Sequence, residues 1–282
     1  MNIGVGIITC NRTDYLKNLL NTLAPCRTSI SELVIVNDGK PIDNYNDFCE
    51  SSDIWLNNPE NLGVGKSKNK AIQHLLNKKC DFIFIIEDDM LILDKDIFLR
   101  YIEAHKASGI HHFNYGPGSP FNRKQTIQFD LHNRHLLDQN SEPNPKLILD
   151  YGNIKVSLFE HTVAMFSFFT REVLEKVGLI DENFYNAWEH VDHTYRIIKA
   201  GYHPPFWWFA DIHDSHKYIT EAPGAIDNSS IANKTEQWEK NVYGGREIYR
   251  EKHGHYPNMP PQVTKEQVIE SIKQIGKRYG KK

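Results

Sequence analysis

The sequence predicts an α/β fold with a mostly parallel central sheet. Phe82–Ile86 is an unbroken run of five β-forming residues without the alternation of a half-exposed strand, and Ile3–Thr9 and Glu32–Asn37 are also predicted to be strands. Strands buried on both faces of a parallel sheet typically have such runs. Apolar residues at helical spacing lie between the predicted strands. Strand–helix–strand repeats of this kind form parallel sheets with right-handed crossovers.

Two helices are predicted to connect these strands. The first carries leucines at helical spacing and ends at Pro25, with Thr13 or Asn11 as its cap. The second follows a glycine-containing turn and continues through Leu76. A short strand at Ile54–Asn57 is predicted to precede that turn.

Three adjacent carboxylates, Glu87, Asp88 and Asp89, follow the third strand directly. Three acids at the end of a buried strand repel one another, and burial of an unpaired charge is costly. Mg²⁺ or Mn²⁺ removes that cost, because these ions take carboxylate oxygens and leave positions for phosphates. Ligands of open α/β sheets bind at the carboxyl ends of the strands. The triplet therefore indicates either a metal–diphosphate site or a solvated acidic turn.

Two further segments of the first half are candidates for ligand binding. Asp38 follows the second strand, where an aspartate can stabilise a turn or accept a hydrogen bond from a base or a ribose. Asn61–Ala71 is a glycine-containing turn leading into a helix, and it includes Lys66 and Lys68. Helix-start amides and lysines suit a phosphate, although solvated lysines at a helix start are an equally simple interpretation.

Composition limits the function classes. The 282 residues are enough for one large or two modest domains, and a net charge of −3 gives no general attraction to nucleic acid. No apolar run approaches the ~20 residues of a membrane span, and the chain starts as a strand without a signal sequence. A cytoplasmic protein is therefore expected. The four cysteines form no Cys-x-x-Cys pair, which favours free thiols over a zinc site.

Residues 3–90 resemble the nucleotide-sugar half of GT-A glycosyltransferases, in particular the family-2 group. The matching segments, in chain order, are Ile8-Thr9-Cys10-Asn11-Arg12, Val34-Ile35-Val36-Asn37-Asp38-Gly39, Asn61-Leu62-Gly63 with Lys68-Asn69, and Glu87-Asp88-Asp89. The last segment occupies the place of the family's Asp-x-Asp metal motif, with Glu87 as a departure. The resemblance implies Mn²⁺ or Mg²⁺ held by Asp89 with Glu87. It also implies contacts to a nucleotide-sugar donor from Thr9, Asn11, Arg12, Asp38, Asn61, Lys66, Lys68 and Asp88.

The second half has one segment suited to acid–base chemistry. Glu189, His190, Asp192 and His193 lie within five residues at the start of a predicted helix, and a base needs a pKa near the working pH. The alternative is a surface helix start whose acids complement the helix dipole.

The same segment resembles the acceptor-side motif of inverting GT-A enzymes. Glu189 and Asp192 match the motif, whereas Trp188 and His190 depart from it. The resemblance implies a catalytic base, with Glu189 as the first candidate, His190 the second and Asp192 the third. The flat ring of Trp188 could pack against a sugar.

Tyr202–Ala210 is predicted as an apolar strand. Because the faces of a strand alternate, one of Trp207 and Trp208 is expected in an acceptor cleft and the other in the core. His213 and His216 follow directly. The resemblance implies that one of them completes the metal coordination, and an imidazole ligand favours Mn²⁺ over Mg²⁺.

The chain is thus predicted to contain a nucleotide-sugar half at 1–92, an acceptor half at 93–225 and a helical extension at 226–282. The extension is expected to hold a helix interrupted near Gly244 and a terminal amphipathic helix, Lys265–Tyr279, with a basic end. That end suggests either a docking helix with a solvated tail or peripheral contact with an anionic membrane at its inner face.

The expected function is metal-dependent transfer of a sugar, with inversion, from a UDP-sugar to a glycan or lipid-linked saccharide in surface polysaccharide synthesis. A non-catalytic GT-A-like binding module of a larger synthase is the main alternative. A sugar-phosphate nucleotidyltransferase is less favoured, because such enzymes carry a glycine-rich loop after the first strand and Thr9–Arg12 has no glycine.

Overall fold

A computed structural model describes residues 1–127, 138, 140–225 and 235–280. The strands are β1 Ile3–Thr9, β2 Glu32–Asn37, β3 Ile54–Asn57, β4 Phe82–Glu87, β5 Met90–Ile92, β6 His112–Asn114, β7 Leu147–Asp150, β8 Lys155–Phe159, β9 Phe166–Thr170, β10 Phe209–Ile212 and β11 Ile219–Glu221. The α-helices are α1 Thr13–Leu23, α2 Val64–Asn77, α3 Ile97–Ser108, α4 Arg171–Val177, α5 Glu189–Lys199, α6 Thr235–His253 and α7 Lys265–Tyr279.

Six strands form the central sheet in the order β3-β2-β1-β4-β9-β6. The first four are mutually parallel, and β9 runs antiparallel to both of its neighbours. The predicted α/β class with a mostly parallel sheet is therefore confirmed. Since β1, β2 and β4 point the same way, their carboxyl ends meet at one edge, and that edge carries the candidate site.

The pleat of the sheet divides the core into two layers. Phe84 and Ile86 of β4 belong to a cluster with Leu16 and Leu19 of α1, whereas the alternating Ile85 packs in a second cluster around α2. Successive side chains of a strand point to opposite faces, so an unbroken apolar strand is required when helices cover both sides.

Strand pairing joins the second half of the chain to the first half at two places. Strand β9 pairs with β4, which extends the central sheet across the predicted 92/93 boundary. Strand β11 pairs with β5, just after the acidic triplet, and brings Glu221 opposite Met90. Three further strands form an antiparallel sheet in the order β10-β8-β7.

Several sequence-based expectations about elements are wrong. The N-cap of α1 is Arg12, without a side-chain cap from Thr13 or Asn11. A run of β-forming residues at 125–131 also suggested a strand; none is formed at 125–127, and the remaining positions lie outside the described residues. Residues 202–208 form bends, a turn at 206–207 and irregular backbone, so the predicted strand begins only at Phe209.

Helix α6 passes through Gly244 and Gly245 without interruption, contrary to prediction. A Cβ at Gly245 would come within 2.8 Å of the Trp188 ring, while nothing lies within 4 Å of one at Gly244. Gly245 is thus used for close packing of α6 against the start of α5, and tertiary contact overrides the low helix propensity of glycine.

The predicted terminal helix is confirmed as α7, with a capping box at Thr264 and Gln267. Its buried stripe is Val268, Ile272 and Ile275. The basic end extends through Lys277 and Arg278, whereas 281–282 lie outside the described residues. Among the helices that the structure describes, none is both long and apolar enough to cross a bilayer.

Candidate active site

The carboxyl ends of β1 and β4 bring together a buried acid and two of its partners. Asp88 has no exposed side-chain surface; it accepts a hydrogen bond from Thr9 Oγ1 at 2.7 Å and pairs with Arg12. Burial raises the pKa of Asp88 to about 7, although Arg12 and Thr9 oppose this shift. These contacts explain why a polar residue, Thr9, ends an otherwise apolar strand. They also bring together three predicted donor-binding residues, Thr9, Arg12 and Asp88.

The neighbouring Asp89 is only partly paired. One oxygen, Oδ2, lies 2.9 Å from Nη1 of Arg12, while Oδ1 is buried and has no hydrogen-bond partner. Burial and the charge of Glu87 raise the pKa of Asp89, and Arg12 opposes them. A buried carboxylate oxygen without a partner is costly and needs an explanation such as an ion.

Glu87 pairs with a buried lysine instead of with Arg12. The Nζ atom of Lys68 lies 2.7 Å from Oε1 of Glu87 and 3.7 Å from Oε1 of Glu189, and it donates to the carbonyl of Ala164 at 3.2 Å. Only 3% of the Lys68 side chain is exposed. Lys68 therefore connects the acidic end of β4 to the start of α5, whereas Lys66, two residues earlier, is exposed.

The residues at this edge fit a divalent cation in part. The unpartnered Oδ1 of Asp89 is a suitable ligand for such an ion. Arg12 pairs with Asp89 and Lys68 pairs with Glu87, so these two side chains balance the carboxylates that a bound cation would otherwise neutralise. Within the described ranges, however, no three His, Cys, Asp or Glu side chains stand grouped to hold a metal. The expected four-residue set is therefore not assembled there.

Neither His213 nor His216, the two histidines of the expected metal site, belongs to a group of metal-ligand side chains in the described part of the chain. Nδ1 of His213 is 2.9 Å from the hydroxyl of Ser157, and its Nε2 is 3.6 Å from Asp214. Nδ1 of His216 is buried without a hydrogen-bond partner, and burial lowers the pKa of His216. Their predicted metal role stays a prediction.

Glu221 is a candidate that the sequence did not indicate. The backbone N–H of Ala222 donates to the carbonyl of Asp89 at 2.7 Å, so the end of β11 lies beside the acidic triplet. Burial and the charges of Asp89 and Glu87 raise the pKa of Glu221 to about 7, despite opposition from Arg123. Nothing in the local sequence identifies Glu221, because its proximity depends on the pairing of β5 with β11.

Asp38 stabilises a turn. Its buried carboxylate accepts hydrogen bonds from Asn58 Nδ2 at 2.6 Å and from the backbone N–H groups of Leu62 and Gly63 at 2.8 and 3.0 Å. Gly63 has φ +91°, a conformation that favours glycine. Of the two interpretations left open above, the structure shows the turn contacts, and a further contact to a donor stays a prediction.

The predicted donor residues Asn11 and Asn61 lie around the same turn. Oδ1 of Asn11 accepts from the backbone N–H of Lys40 at 2.8 Å, and Nδ2 of Asn61 lies 3.3 Å from Sγ of Cys10. Oδ1 of Asn61 accepts from the hydroxyl of Tyr185 at 2.8 Å. Both asparagines thus join the loops at the carboxyl edge of the sheet, and Tyr185 brings the acceptor half to them.

The predicted base candidates differ strongly in environment. Glu189 is 4% exposed and lies in the first turn of α5, next to Lys68 and His190. The carboxylate of Asp192 is fully buried and is shared by Arg196, Lys252 and His253, which ties α5 to α6. With these three partners, Asp192 stabilises the packing of α5 against α6. A catalytic role for Asp192, Glu189 or His190 stays a prediction.

The three tryptophans predicted for acceptor binding make packing contacts. Trp188, the N-cap of α5 at φ +68°, donates from Nε1 to the carbonyl of Val242 at 2.9 Å. Trp207 lies in a turn at φ +70° and donates from Nε1 to the carbonyl of Pro260 at 2.9 Å. Trp208 is 7% exposed and belongs to the main core. The expected strand alternation does not occur, and acceptor binding by these rings stays a prediction.

The sequence of the chain is similar to those of known glycosyltransferases. The family model described as "Glycosyl transferase family 2" matches residues 4–178, more than half of the chain. An uncharacterised glycosyltransferase of Acanthamoeba polyphaga mimivirus is 26% identical over 248 residues, which cover 82% of this chain and 85% of that protein.

Solved structures show the same fold. The crystal structure of S. aureus TarS matches this structure with a TM-score of 0.53 at 14% sequence identity. The match covers all of this chain and 44% of the TarS chain. The TarS 1–349 fragment in complex with UDP-GlcNAc matches at a TM-score of 0.52 and 12% identity, covering 99% and 74% of the two chains. These similarities, together with the family match, confirm the predicted GT-A fold.

Proposed function

The chain belongs to glycosyl transferase family 2, and from that premise we propose that it transfers a sugar from a nucleoside-diphosphate sugar to a saccharide hydroxyl. One observation carries the proposal: buried Lys68 connects Glu87, at the acidic end of β4, with Glu189, at the start of α5. A donor bound at the carboxyl ends of the strands would thus lie next to a helix that bears candidate bases.

We propose a UDP-sugar as donor. TarS 1–349, which shares the fold, has been solved in complex with UDP and with UDP-GlcNAc. In this chain Thr9, Asn11, Asp38 and Asn61 lie around the β1 and β2 loops at the carboxyl edge, where a base and a ribose would be bound. Lys66, exposed at the start of α2, and the amides of that helix suit the diphosphate.

Asp89 would hold Mn²⁺ or Mg²⁺ through its unpartnered Oδ1, with Glu87 or Glu221 beside it. A bound cation supplies neutralisation of the charge that builds on the leaving diphosphate. The chain's own residues do the remaining work. Arg12 keeps Asp88 and Asp89 paired, and Asp88 with Thr9 fixes the β1 loop against the end of β4.

Transfer with inversion needs a base on the acceptor side, and α5 supplies Glu189 and His190. The acceptor hydroxyl would attack the face of the anomeric carbon opposite the diphosphate. The acceptor is proposed to be a glycan or lipid-linked saccharide of a surface polysaccharide, extended on the cytoplasmic side. Contact of the basic end of α7, Lys277 and Arg278, with an anionic membrane belongs to the same proposal.

The second candidate function is a GT-A-like module that binds nucleotide or glycan without turnover. Two observations favour it: Arg12 and Lys68 already pair with the acidic triplet, and His190 stands where the resemblance leads one to expect an aspartate. The nucleotidyltransferase alternative has no such support, because the β1 loop at Thr9–Arg12 contains no glycine.

The test is a panel of nucleotide sugars with and without Mn²⁺. Thermal stabilisation and release of free nucleotide are measured together for the wild type and for Asp89→Asn, with Asp96→Asn as a matched control in an exposed helix N-cap. We expect metal-dependent stabilisation and slow release of nucleotide with one donor family, both lost in Asp89→Asn only. Binding without release supports the module, and no response to any donor refutes the transferase.

A further inference from the structure

The two leading base candidates, Glu189 and His190, are neighbours in sequence but differ in access. Only 5% of the Glu189 side chain is exposed, against 26% of the His190 side chain. The Glu189 carboxylate faces Lys68 Nζ at 3.7 Å and His190 Nδ1 at 3.3 Å. An incoming hydroxyl can therefore reach the imidazole more readily than the carboxylate behind it.

The charge state of Glu189 also suits orientation better than proton transfer. Burial raises its pKa, but the adjoining His190 ring and the Lys68 ammonium lower it further, to about 2. A carboxylate this acidic is a weak proton acceptor near neutral pH, because a general base is most effective when its pKa is near the working pH. It remains a good hydrogen-bond acceptor for a ring N–H.

The surroundings of His190 limit the direction of approach. A cavity of about 10 Å³ lies against the ring and is lined by Lys68, His112 and His193 among other residues. This volume holds at most one water, so a sugar must approach from the exposed edge of the ring.

The titratable and charged groups that face His190 are Glu189 and His193 on its own helix, Lys68 on α2 and His112 on β6. Burial lowers the pKa of His193 to about 3 and holds that of His112 well below its ordinary value. Near neutral pH the charged neighbours among these are thus the Glu189 carboxylate and the Lys68 ammonium.

We propose that His190 accepts the proton of the attacking hydroxyl and that Glu189, anchored by Lys68, is the positioning residue that orients its ring. An ionised carboxylate can only accept a hydrogen bond, so the hydrogen between the two groups belongs to Nδ1 and the lone pair lies on Nε2. The inference rests on the proposed transferase function and specifies how its acceptor side works.

The step balances without a further reactant. As the acceptor oxygen forms its bond to the anomeric carbon, its proton passes to Nε2 of His190. The bond from that carbon to the diphosphate breaks, and the nucleoside diphosphate leaves with the electron pair. The imidazolium then formed is stabilised by the Glu189 carboxylate at Nδ1, and it returns its proton to solvent through its exposed edge.

The first measurement needs no turnover. Histidine ring ¹⁵N–¹H correlation spectra of the wild type and of Glu189→Gln, assigned with His190→Asn, report the tautomer of His190. We expect the Nδ1–H tautomer in the wild type and a mixture of tautomers in Glu189→Gln. An Nε2–H tautomer in the wild type overturns the proposal, whichever donor the protein uses.

The second measurement is the pH profile of kcat/KM. With His190 as base, kcat/KM rises with pH as the neutral form of the imidazole becomes more populated, whereas a Glu189 base would leave the profile flat above about pH 4. His190→Asn should lower kcat/KM by ~10²–10⁴-fold and abolish the rise. Glu189→Gln should lower kcat yet keep a rise, and added imidazole should restore part of the activity of His190→Ala only.

His74→Gln is the matched control. This histidine pairs with Glu32 at the opposite, amino end of the parallel strands, so its loss should leave the rise in place. A rise that survives in His190→Asn, or a flat wild-type profile, overturns the proposal. Absence of turnover with every donor would instead refute the proposed function, while the tautomer measurement still decides the role of Glu189.

Discussion

Replacement of Asp192 by asparagine should loosen α6 from the body of the protein. The Asp192 carboxylate has no exposed surface and is shared by Arg196 Nε at 2.9 Å, Lys252 Nζ at 2.9 Å and His253 Nε2 at 2.7 Å. Asp192→Asn preserves the shape but removes the negative charge. Arg196 and Lys252 are then left close together without an anion between them.

The expected loss can be estimated from burial. Removing one partner of a buried ion pair costs ~3–5 kcal/mol. The asparagine carbonyl still accepts one hydrogen bond, so the lower end, ~3 kcal/mol, applies. For chains of about this size 1 kcal/mol shifts Tm by roughly 2–4 °C, which predicts a Tm lower by about 6–12 °C. Asp181→Asn is the control: Asp181 also binds Lys252, at 2.6 Å, but its side chain is 20% exposed, so a loss of ~1 kcal/mol or less is expected.

The assay is thermal and urea unfolding of the three proteins at pH 7 and pH 4, with hydrogen exchange in α6. Burial raises the pKa of Asp192, but Lys252, Arg196 and His253 lower it further, so the net pKa lies below its ordinary value. The stability that ionised Asp192 contributes is therefore complete above its unfolded pKa of ~3.9. It is lost as the pH falls through the lower pKa of the folded state. The destabilisation should thus be full at pH 7 and begin to shrink only near pH 4. Equal melting of Asp192→Asn and Asp181→Asn at pH 7 would refute the reasoning.

Two further predictions test contacts around the site. Arg12→Gln should bind Mn²⁺ several-fold more tightly by calorimetry, because a cation that competes for Asp89 is removed; unchanged or weaker affinity would contradict this. Gly244→Ala should stabilise α6 by ~0.5–1 kcal/mol, whereas Gly245→Ala should destabilise the protein, because the new Cβ would come within 2.8 Å of the Trp188 ring. Urea unfolding of both variants measures the difference, and a Gly245→Ala protein as stable as Gly244→Ala would show that this contact does not constrain α6.

Much of the nucleotide half could be predicted from sequence because its signals are local. The β1, β2 and β3 bounds agree with the structure, since β-forming runs need no distant partner to be recognised. The terminal helix α7 was equally predictable from its stripe and cap. The residues of the acidic triplet and of the α5 start were identified by pattern, and the structure brings them within reach of one lysine.

The aromatic segment before β10 shows where local pattern fails. Trp207 and Trp208 have the composition of a strand, but Pro204 and Pro205 precede them and Trp207 adopts a positive φ. A buried partner for each ring, Pro260 for one and the main core for the other, then determines the conformation. Propensity for a strand describes fit to a pleated surface, and tertiary contacts override it.

By itself, the sequence determined the mostly parallel sheet, the family and the two segments that carry acids and histidines. Tertiary structure alone decided how those charges are paired: Arg12 with Asp88 and Asp89, Lys68 between Glu87 and Glu189, and Asp192 with α6. It also decided that Glu221 joins the acidic edge. The physical reason is range: backbone preference and apolar periodicity act over a few residues, whereas the pairing of buried charges depends on which side chains from distant segments share a low-dielectric space.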